Sequence, residues 1–472
     1  MIEPAEKNKG SKGELSTAGK NTYKLGRKFV RTVIKALDAG DAKQIRDLIA
    51  PLHPADAADL IEGLRQEKRG PLIEAIRSDF DPEILSELDE TVCDEVVELL
   101  GIKDVAAAVA ELETDDAVQV VEELDHDERK QVLDAIPASE RTLIEEGLAY
   151  PDDSAGRLMQ RELVSVPEFW TVGETIDFLR QSAEQDDDSL PAAFYDIFVV
   201  DSDRKPVGAI SLSRLLKTRR PVKVTEVMER KMKVVPATMD QEDVAYLFSQ
   251  RDLISAPVVD KSGRLVGAIT VDDVVDVIHE EHEEDIMRLG GVSEDDFYSA
   301  ALDTTRSRFS WLLVNLFTAI LASSVINYFE ATIDQVVALA ILMPIVASMG
   351  GNAGTQTMTV AVRALAMKEL TATNSLRTII KEVLVAAING ILFAAITGTV
   401  VWFWFSSPTL GIVIALAMVV NLVVAGLAGA SIPMLLERSG ADPAIASGVL
   451  LTTVTDVVGF ASFLGLAAWI LL

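Results

Sequence analysis

Residues 445–472 read IASGVLLTTVTDVVGFASFLGLAAWILL. About 20 apolar residues cover the hydrocarbon core of a bilayer, so this run is long enough to cross one. Asp456 is its only charged residue and lies near its middle. A carboxylate at that depth costs roughly 2.5–3.5 kcal/mol on insertion scales, and it needs a partner. Thr452, Thr453 and Thr455 place hydroxyls around it. Two readings are open. The Asp is protonated and bonds a neighbouring helix, or it is a carboxylate that faces a water-filled path and holds a cation.

Four more apolar stretches precede it, at 311–329, 336–360, 383–405 and 410–436. Arg306 and Arg308 lie before the first, Arg363, Lys368, Arg377 and Lys381 between the second and third, and Arg438 between the fourth and fifth. The links 330–335 and 406–409 hold no basic residue. The positive-inside rule then predicts a cytoplasmic N-terminal half and an outside C-terminus. Glu330 and Asp334 fall at the outer mouth, and Trp402 and Trp404 suit an interfacial belt. The second stretch contains PIVASMGGNAGTQT at 344–357. Pro344 predicts a kink, and the glycines predict loosened backbone with carbonyls turned to a cavity. Close packing through small residues is the other reading of the glycines. Asn352 reads as a partner for a hydrated cation.

Charge divides the chain. Residues 1–300 carry 36 basic and 65 acidic side chains, a net of −29; residues 301–472 carry 7 and 8, a net of −1. An acidic assembly thus precedes a nearly neutral membrane body. It is an unsuitable surface for nucleic acid and a suitable one for cations. Cys93 is the only cysteine among 472 residues, so no disulfide framework or Cys/His zinc site is expected. The opening MIEPAEKNKGSKGELSTAGK has no apolar core and reads as a disordered tail rather than a signal peptide. No nucleophile–base pair, Walker loop or His-rich metal site is present, which argues against an enzyme.

Residues 271–285, VDDVVDVIHEEHEED, hold eight acids and no Lys or Arg. Val271, Val274, Val275, Ile278 and His282 have helical spacing. Asp272/Asp276, Glu280/Glu284 and Glu281/Asp285 are like-charge i,i+4 pairs, which destabilise a helix. A divalent cation among the carboxylates would offset this, and oxygen ligands suit Mg²⁺ or Ca²⁺. A solvated acidic helix is the plainer reading.

Two repeats fill the region before it. Leu52, Leu64, Ile76, Leu88, Leu100, Leu112, Leu124, Ile136 and Leu148 stand twelve residues apart. That spacing fits a short helix plus a tight link, stacked as a solenoid. Helix starts are signalled at Asp81-Pro82-Glu83 and Thr114-Asp115-Asp116. Farther on, Phe198-Val199-Val200-Asp201 and Val207-Gly208-Ala209-Ile210-Ser211 recur 59 residues later as Pro257-Val258-Val259-Asp260 and Val266-Gly267-Ala268-Ile269-Thr270. Each unit reads as helix, strand, turn, strand, helix. The first has an extra polar run, SAEQDDDS. The pattern resembles a tandem pair of CBS domains. That resemblance implies a nucleotide site at Thr270 and Asp273, or bare pairing without nucleotide. The first copy has Ser211 but Arg214, which departs from the nucleotide pattern.

The order of parts, with GGNAGTQ and ADPAIASGVLLTTVTD in the membrane body, resembles the MgtE family of magnesium channels from about residue 45 onward. The expected chain is multi-domain: a tail at 1–28, an all-α helical-repeat domain at 29–150, an α/β tandem CBS pair at 151–270, an acidic connecting helix at 271–305 and a five-helix transmembrane domain at 306–472. The resemblance implies a homodimer in the cell membrane, with a pore lined by the second and fifth helices and Mg²⁺ both transported and regulatory. ATP is a further ligand by the CBS likeness. It implies pore roles for Asp456, Asn352 and Asp442. It implies regulatory roles for Glu83 and Asp115, for Asp240, Glu242 and Asp252, and for Asp272, Asp273, Asp276, Glu281, Glu284 and Asp285. Gln119, Thr355 and Gly448 depart from the family pattern. An ion-coupled divalent carrier and a membrane-anchored nucleotide sensor are the alternatives.

Overall fold

The computed structural model describes residues 25–184, 190–191, 193–292, 301–370 and 373–471. Most of the expected tail, part of the SAEQDDDS run and residues 293–300 of the expected connecting segment lie outside the described residues. The chain forms two compact units, one up to Ile278 and one from His279.

The first unit opens with short helices: α1 (Arg27–Ala39), α2 (Ala42–Ile49), α3 (Pro54–Gly63), α4 (Gln66–Ile76), α5 (Glu83–Ser86), α6 (Glu90–Leu100), α7 (Ile102–Val109), α8 (Thr114–Glu123), α9 (His126–Ala135) and α10 (Ala138–Leu148). Most starts fall twelve residues apart. A 3₁₀ turn at Arg77–Asp79 and the one-turn α5 replace one full helix. Helices of this length are marginal alone. Several pack on the next helix but one, as with α2 on α4, α4 on α6 and α7 on α9. Leu64, Ile76, Leu88, Leu100, Leu124 and Ile136 are buried between them, while Leu52, Leu112 and Leu148 are half-buried.

Two small sheets follow. After α11 (Ala155–Leu158) come β1 (Ser165–Pro167), α12 (Val172–Glu184), β2 (Asp196–Val200), β3 (Pro206–Ser211), α13 (Leu212–Lys217) and α14 (Val224–Val227). The second copy is β4 (Val235–Pro236), α15 (Gln241–Arg251), β5 (Ser255–Val259), β6 (Leu265–Thr270) and α16 (Val271–Gly290). In each, a parallel strand precedes an antiparallel hairpin. The turns match as well. Asp201 Oδ1 accepts from the Asp203 and Lys205 amides, and Asp260 Oδ1 from those of Ser262 and Arg264. The left-handed turn residue is Gly263 in one copy and Arg204, at φ 62°, in the other.

The buried stripe of α16 differs from the expected one. Val274 and Val277 are buried with the second-copy core, whereas Val271 and Val275 are exposed.

The second unit holds α17 (Ala301–Tyr328), the short α18 (Glu330–Gln335), α19 (Ala338–Ala366), α20 (Ser375–Phe405), α21 (Pro408–Ser439) and α22 (Pro443–Leu471). Five of these are long and apolar enough to cross a membrane. Helix α21 is the hub: it packs on α19, α20 and α22, and more of its apolar window is buried than in any other span.

Candidate ion path and acidic locus

Glycine contacts set the register of α19 against α22. A Cβ on Gly350 or on Gly459 would strike the same Asn421 side chain, and one on Gly354 would strike Leu451. Residue numbers rise along one helix as they fall along the other, so the two run antiparallel. Asn352 therefore stands level with Thr455 and Asp456, and each lies near the middle of its helix.

The face they share is polar and open. Ser348, Asn352, Thr355, Gln356 and Thr359 are exposed along α19; Thr452 is exposed and Asp456 partly so along α22. A Cβ added to Gly351 or Gly448 would meet nothing within 4 Å. The hydroxyl protons are committed to the helices' own carbonyls: Thr355 donates to Gly351 at 2.9 Å, Thr359 to Thr355 at 2.9 Å and Thr452 to Gly448 at 2.8 Å. Asn352 Nδ2 is turned toward Ser348 Oγ at 3.4 Å. The face thus presents oxygen lone pairs and one carboxylate, which accept hydrogen bonds from the water shell of a cation. Among the described residues no three His, Cys, Asp or Glu side chains gather as a metal cage. The chemistry on offer here is outer-sphere.

Several expectations need correction. Helix α19 runs unbroken through Pro344 and its glycines, so the carbonyls are not generally released. Gly350 and Gly354 instead serve close packing, because Asn421 and Leu451 occupy the space a side chain would need. Asp442 is not beside Asp456: fourteen helical residues separate them by about 21 Å. Its Oδ1 caps α22 by accepting from the Ala444 amide at 2.6 Å, and its Oδ2 accepts from Arg288 at 2.6 Å. Arg288 also pairs with Glu284, so a side-chain cation holds two of the acids expected to hold a metal.

A second collection of carboxylates lies within the first unit. Asp115 and Asp116 occupy the first turn of α8, Glu83 that of α5, and Asp272 and Asp273 that of α16. Helix N-termini favour negative charge, but these acids crowd one another. Asp115 is held well above the usual carboxylate range by burial and then by Asp273 and Asp116. Asp116 is pushed up to about 6 by burial, Asp273, Glu83 and Glu87. Asp273 is raised to about 6, chiefly by burial, against hydrogen bonds from Thr270 that favour its charge. Glu87 is raised by burial and then by Asp276. Thr114 Oγ1 donates to Glu162 Oε1 at 2.6 Å, tying α8 to the first sheet domain.

The remaining candidates are dispersed. Asp240 caps α15 by accepting from the Glu242 amide at 3.0 Å, and Asp252 ends that helix in the left-handed region. About 18 Å of helix separates them, so they cannot share one ion. Glu281 and Asp285 are half-buried on α16. Burial raises Asp285, Asp442 raises it further, and His282 opposes both. Thr270 Oγ1 donates to Asp273 Oδ2 at 2.8 Å and also to Asp272, and Thr270 lines a cleft with Glu162, Tyr195 and Ser255.

Sequence reasoning missed Asn421, Arg288, Asp116 and Glu87. Arg288 had a readable signal, its i,i+4 spacing from Glu284. Asp116 and Glu87 look like any acid on an acidic repeat until the helices are stacked.

Family models match three segments: a divalent cation transporter model, MgtE, over 343–466; the MgtE intracellular N domain over 52–153; and the CBS domain over 155–220 and 224–280. A Bacillus subtilis (strain 168) protein named magnesium transporter MgtE is 30% identical over 440 residues, 93% of this chain and 96% of its own. A Thermus thermophilus protein of the same name is 38% identical over 331 residues, 69% of this chain and 72% of its own. The solved cytosolic domain of the Mg²⁺ channel MgtE in complex with ATP is similar at 31% identity and a TM-score of 0.48, over 52% of this chain and 99% of that one.

Proposed function

Because the chain belongs to the MgtE family of divalent cation transporters, we propose that it conducts Mg²⁺ through a pore completed by a second copy, and that cytoplasmic Mg²⁺ closes it. The observation that carries this reading is the open polar face at the middle of α19 and α22. Lipid cannot satisfy the Asp456 carboxylate or the Asn352 amide. A second copy related by a two-fold axis would set the same face opposite and enclose water between them. Mg²⁺ gives up its water reluctantly, and a face of acceptors selects it with its shell on. Asp456 supplies the charge at the narrowest demand, and Asn352 and Thr452 accept from the shell. The basic links favour an N-terminal half in the cytoplasm and a C-terminus outside.

The gate in this reading is the locus of Asp115, Asp116, Asp273 and their neighbours. Without cations the carboxylates repel. With Mg²⁺ they are drawn together. Asp276, Glu281 and Asp285 extend the acidic face along α16, and Asp240, Glu242 and Asp252 supply separate, weaker positions. Moving a two-state gate from 1:99 to 99:1 takes about 5.5 kcal/mol of differential binding, so several ions act together. ATP is an accessory ligand in the cleft beside Thr270 and not a substrate; the activity is transport, not catalysis.

The test is influx into liposomes loaded with a trapped Mg²⁺ indicator, for wild type and Asp456→Ala, across internal Mg²⁺ concentrations. Wild-type flux should fall as internal Mg²⁺ rises and be absent in the variant. Flux that requires a proton gradient would make the protein a coupled carrier. Tight ATP binding with no flux would make it a sensor.

A further inference from the structure

Asn421 is fully buried at the hub of the membrane unit, on α21. Its Nδ2 donates to the Val346 carbonyl of α19 at 2.8 Å. Its Oδ1 is buried and has no hydrogen-bond partner among the described residues. The side chain lies where α19 and α22 each present a glycine, Gly350 and Gly459, and a Cβ on either would come within 3.0 Å of its Nδ2. A leucine of similar size would fill this space without leaving an acceptor unpaired, which costs free energy. The amide therefore does more than fill space.

Its bond falls on a stretch of α19 between a proline and a glycine pair. Pro344 has no N–H to give, and Gly350 and Gly351 weaken the turn that follows. Val346 lies between them, one turn ahead of Gly350. Asn352 stands on the outward polar face just beyond, and Gly459 is three residues from Asp456. We propose that Asn421 is the positioning residue of the ion path: it braces the Pro344–Gly350 segment from behind and holds α19 and α22 at glycine distance, which fixes how far apart Asn352 and Asp456 stand. It touches no ion. It acts by setting the aperture through which a hydrated divalent cation is chosen. The inference rests on the reading of the α19/α22 face as the path.

The experiment compares wild type, Asn421→Leu, Asp456→Asn, Gly350→Ala and the double variant Gly350→Ala/Asn421→Ala in liposomes. It reads half-saturating Mg²⁺, the Mg²⁺ over Ca²⁺ flux ratio and the melting temperature of the full chain in detergent. Asn421→Leu should melt within a few degrees of wild type, yet need about tenfold more Mg²⁺ for half-saturation and lose about tenfold in preference over Ca²⁺. The double variant, in which one methyl takes the room the amide vacates, should regain stability relative to Gly350→Ala but not selectivity. Wild-type affinity and selectivity in either folded variant would reduce Asn421 to packing and overturn the inference. Failure of both variants to fold would also overturn it, since Asn421 would then be a folding residue. If Asp456→Asn conducts like wild type, the ion-path reading itself fails; if Asp456→Asn is dead while Asn421→Leu is normal, only this inference fails.

Discussion

The carboxylates of the two units stand in opposite situations. In the first unit they are many, come from three helix starts and raise one another's proton affinity. In the second, Asp456 is alone at mid-depth, among hydroxyls whose protons are already committed. Crowded acids are a poised electrostatic spring, because any cation that arrives releases repulsion and moves what the acids are attached to. A solitary acid among acceptors stores nothing. It attracts an ion and lets it leave. The same side chain thus suits a gate in one place and a path in the other, and the difference lies in the number of like charges nearby.

The strongest way to break that contrast is to remove charge from each side in turn. Asp456→Asn should reduce Mg²⁺ flux at least a hundredfold at any internal Mg²⁺, read by indicator-loaded liposomes. Asp115→Asn with Asp273→Asn should leave flux at low internal Mg²⁺ intact and shift the inhibiting concentration upward by about tenfold. The same pair should stabilise the ion-free protein, because each raised carboxyl is a cost of ionisation in the folded state. Equal loss of flux from both sets would erase the distinction between gate and path.

How much of this could be read from the chain follows the range of the contacts. The twelve-residue leucine spacing is local, so it foretold helices starting near 54, 66, 90, 102, 114, 126 and 138. The 59-residue shift foretold two strand–turn–strand units, each with a charged turn. The like-charge pairs of α16 were visible as well. What neighbours them was not, because Asp115 and Asp273 lie far apart in sequence and meet only after folding. Asn389 and Asn421 both look like lone amides in apolar runs, yet Asn389 is exposed and Asn421 is fully buried. Likewise Pro344 and the glycines suggested a kinked helix with loosened backbone. The helix holds because α21 packs along it, which a reading of α19 alone does not contain.

Acidification sharpens the contrast more gently. Asp116 and Asp273 titrate near 6 in the folded chain, raised from 3.8. A raised carboxyl contributes stability that is fully present below its unfolded value and is lost as pH rises through its folded one. Between pH 7.5 and 5.5 the ion-free protein should therefore gain stability, by about 1–3 kcal/mol. Glu140, Glu174 and Asp260 are lowered instead and titrate below this window. Protons and Mg²⁺ relieve the same repulsion, so the rise in melting temperature caused by Mg²⁺ should shrink at pH 5.5. A Mg²⁺ effect of equal size at both pH values would show that the crowded acids are not where the ion acts.

The smallest effect concerns a place where a side chain already performs the cation's task. Arg288 bridges Glu284 and Asp442, with Asp285 close by. The pairs are partly exposed, so each is worth about 1 kcal/mol or less. Arg288→Gln removes the bridge and leaves three acids near one another, recreating in the second unit the crowding of the first. The variant should melt a few degrees lower than wild type in EDTA and recover with millimolar Mg²⁺, by more than wild type gains. It should also be inhibited at lower internal Mg²⁺, since a new ion-dependent contact has been added. If the variant loses stability and Mg²⁺ does not restore it, Arg288 acts through packing of its stem. The number of crowded acids would then not be enough, by itself, to make a magnesium-responsive contact.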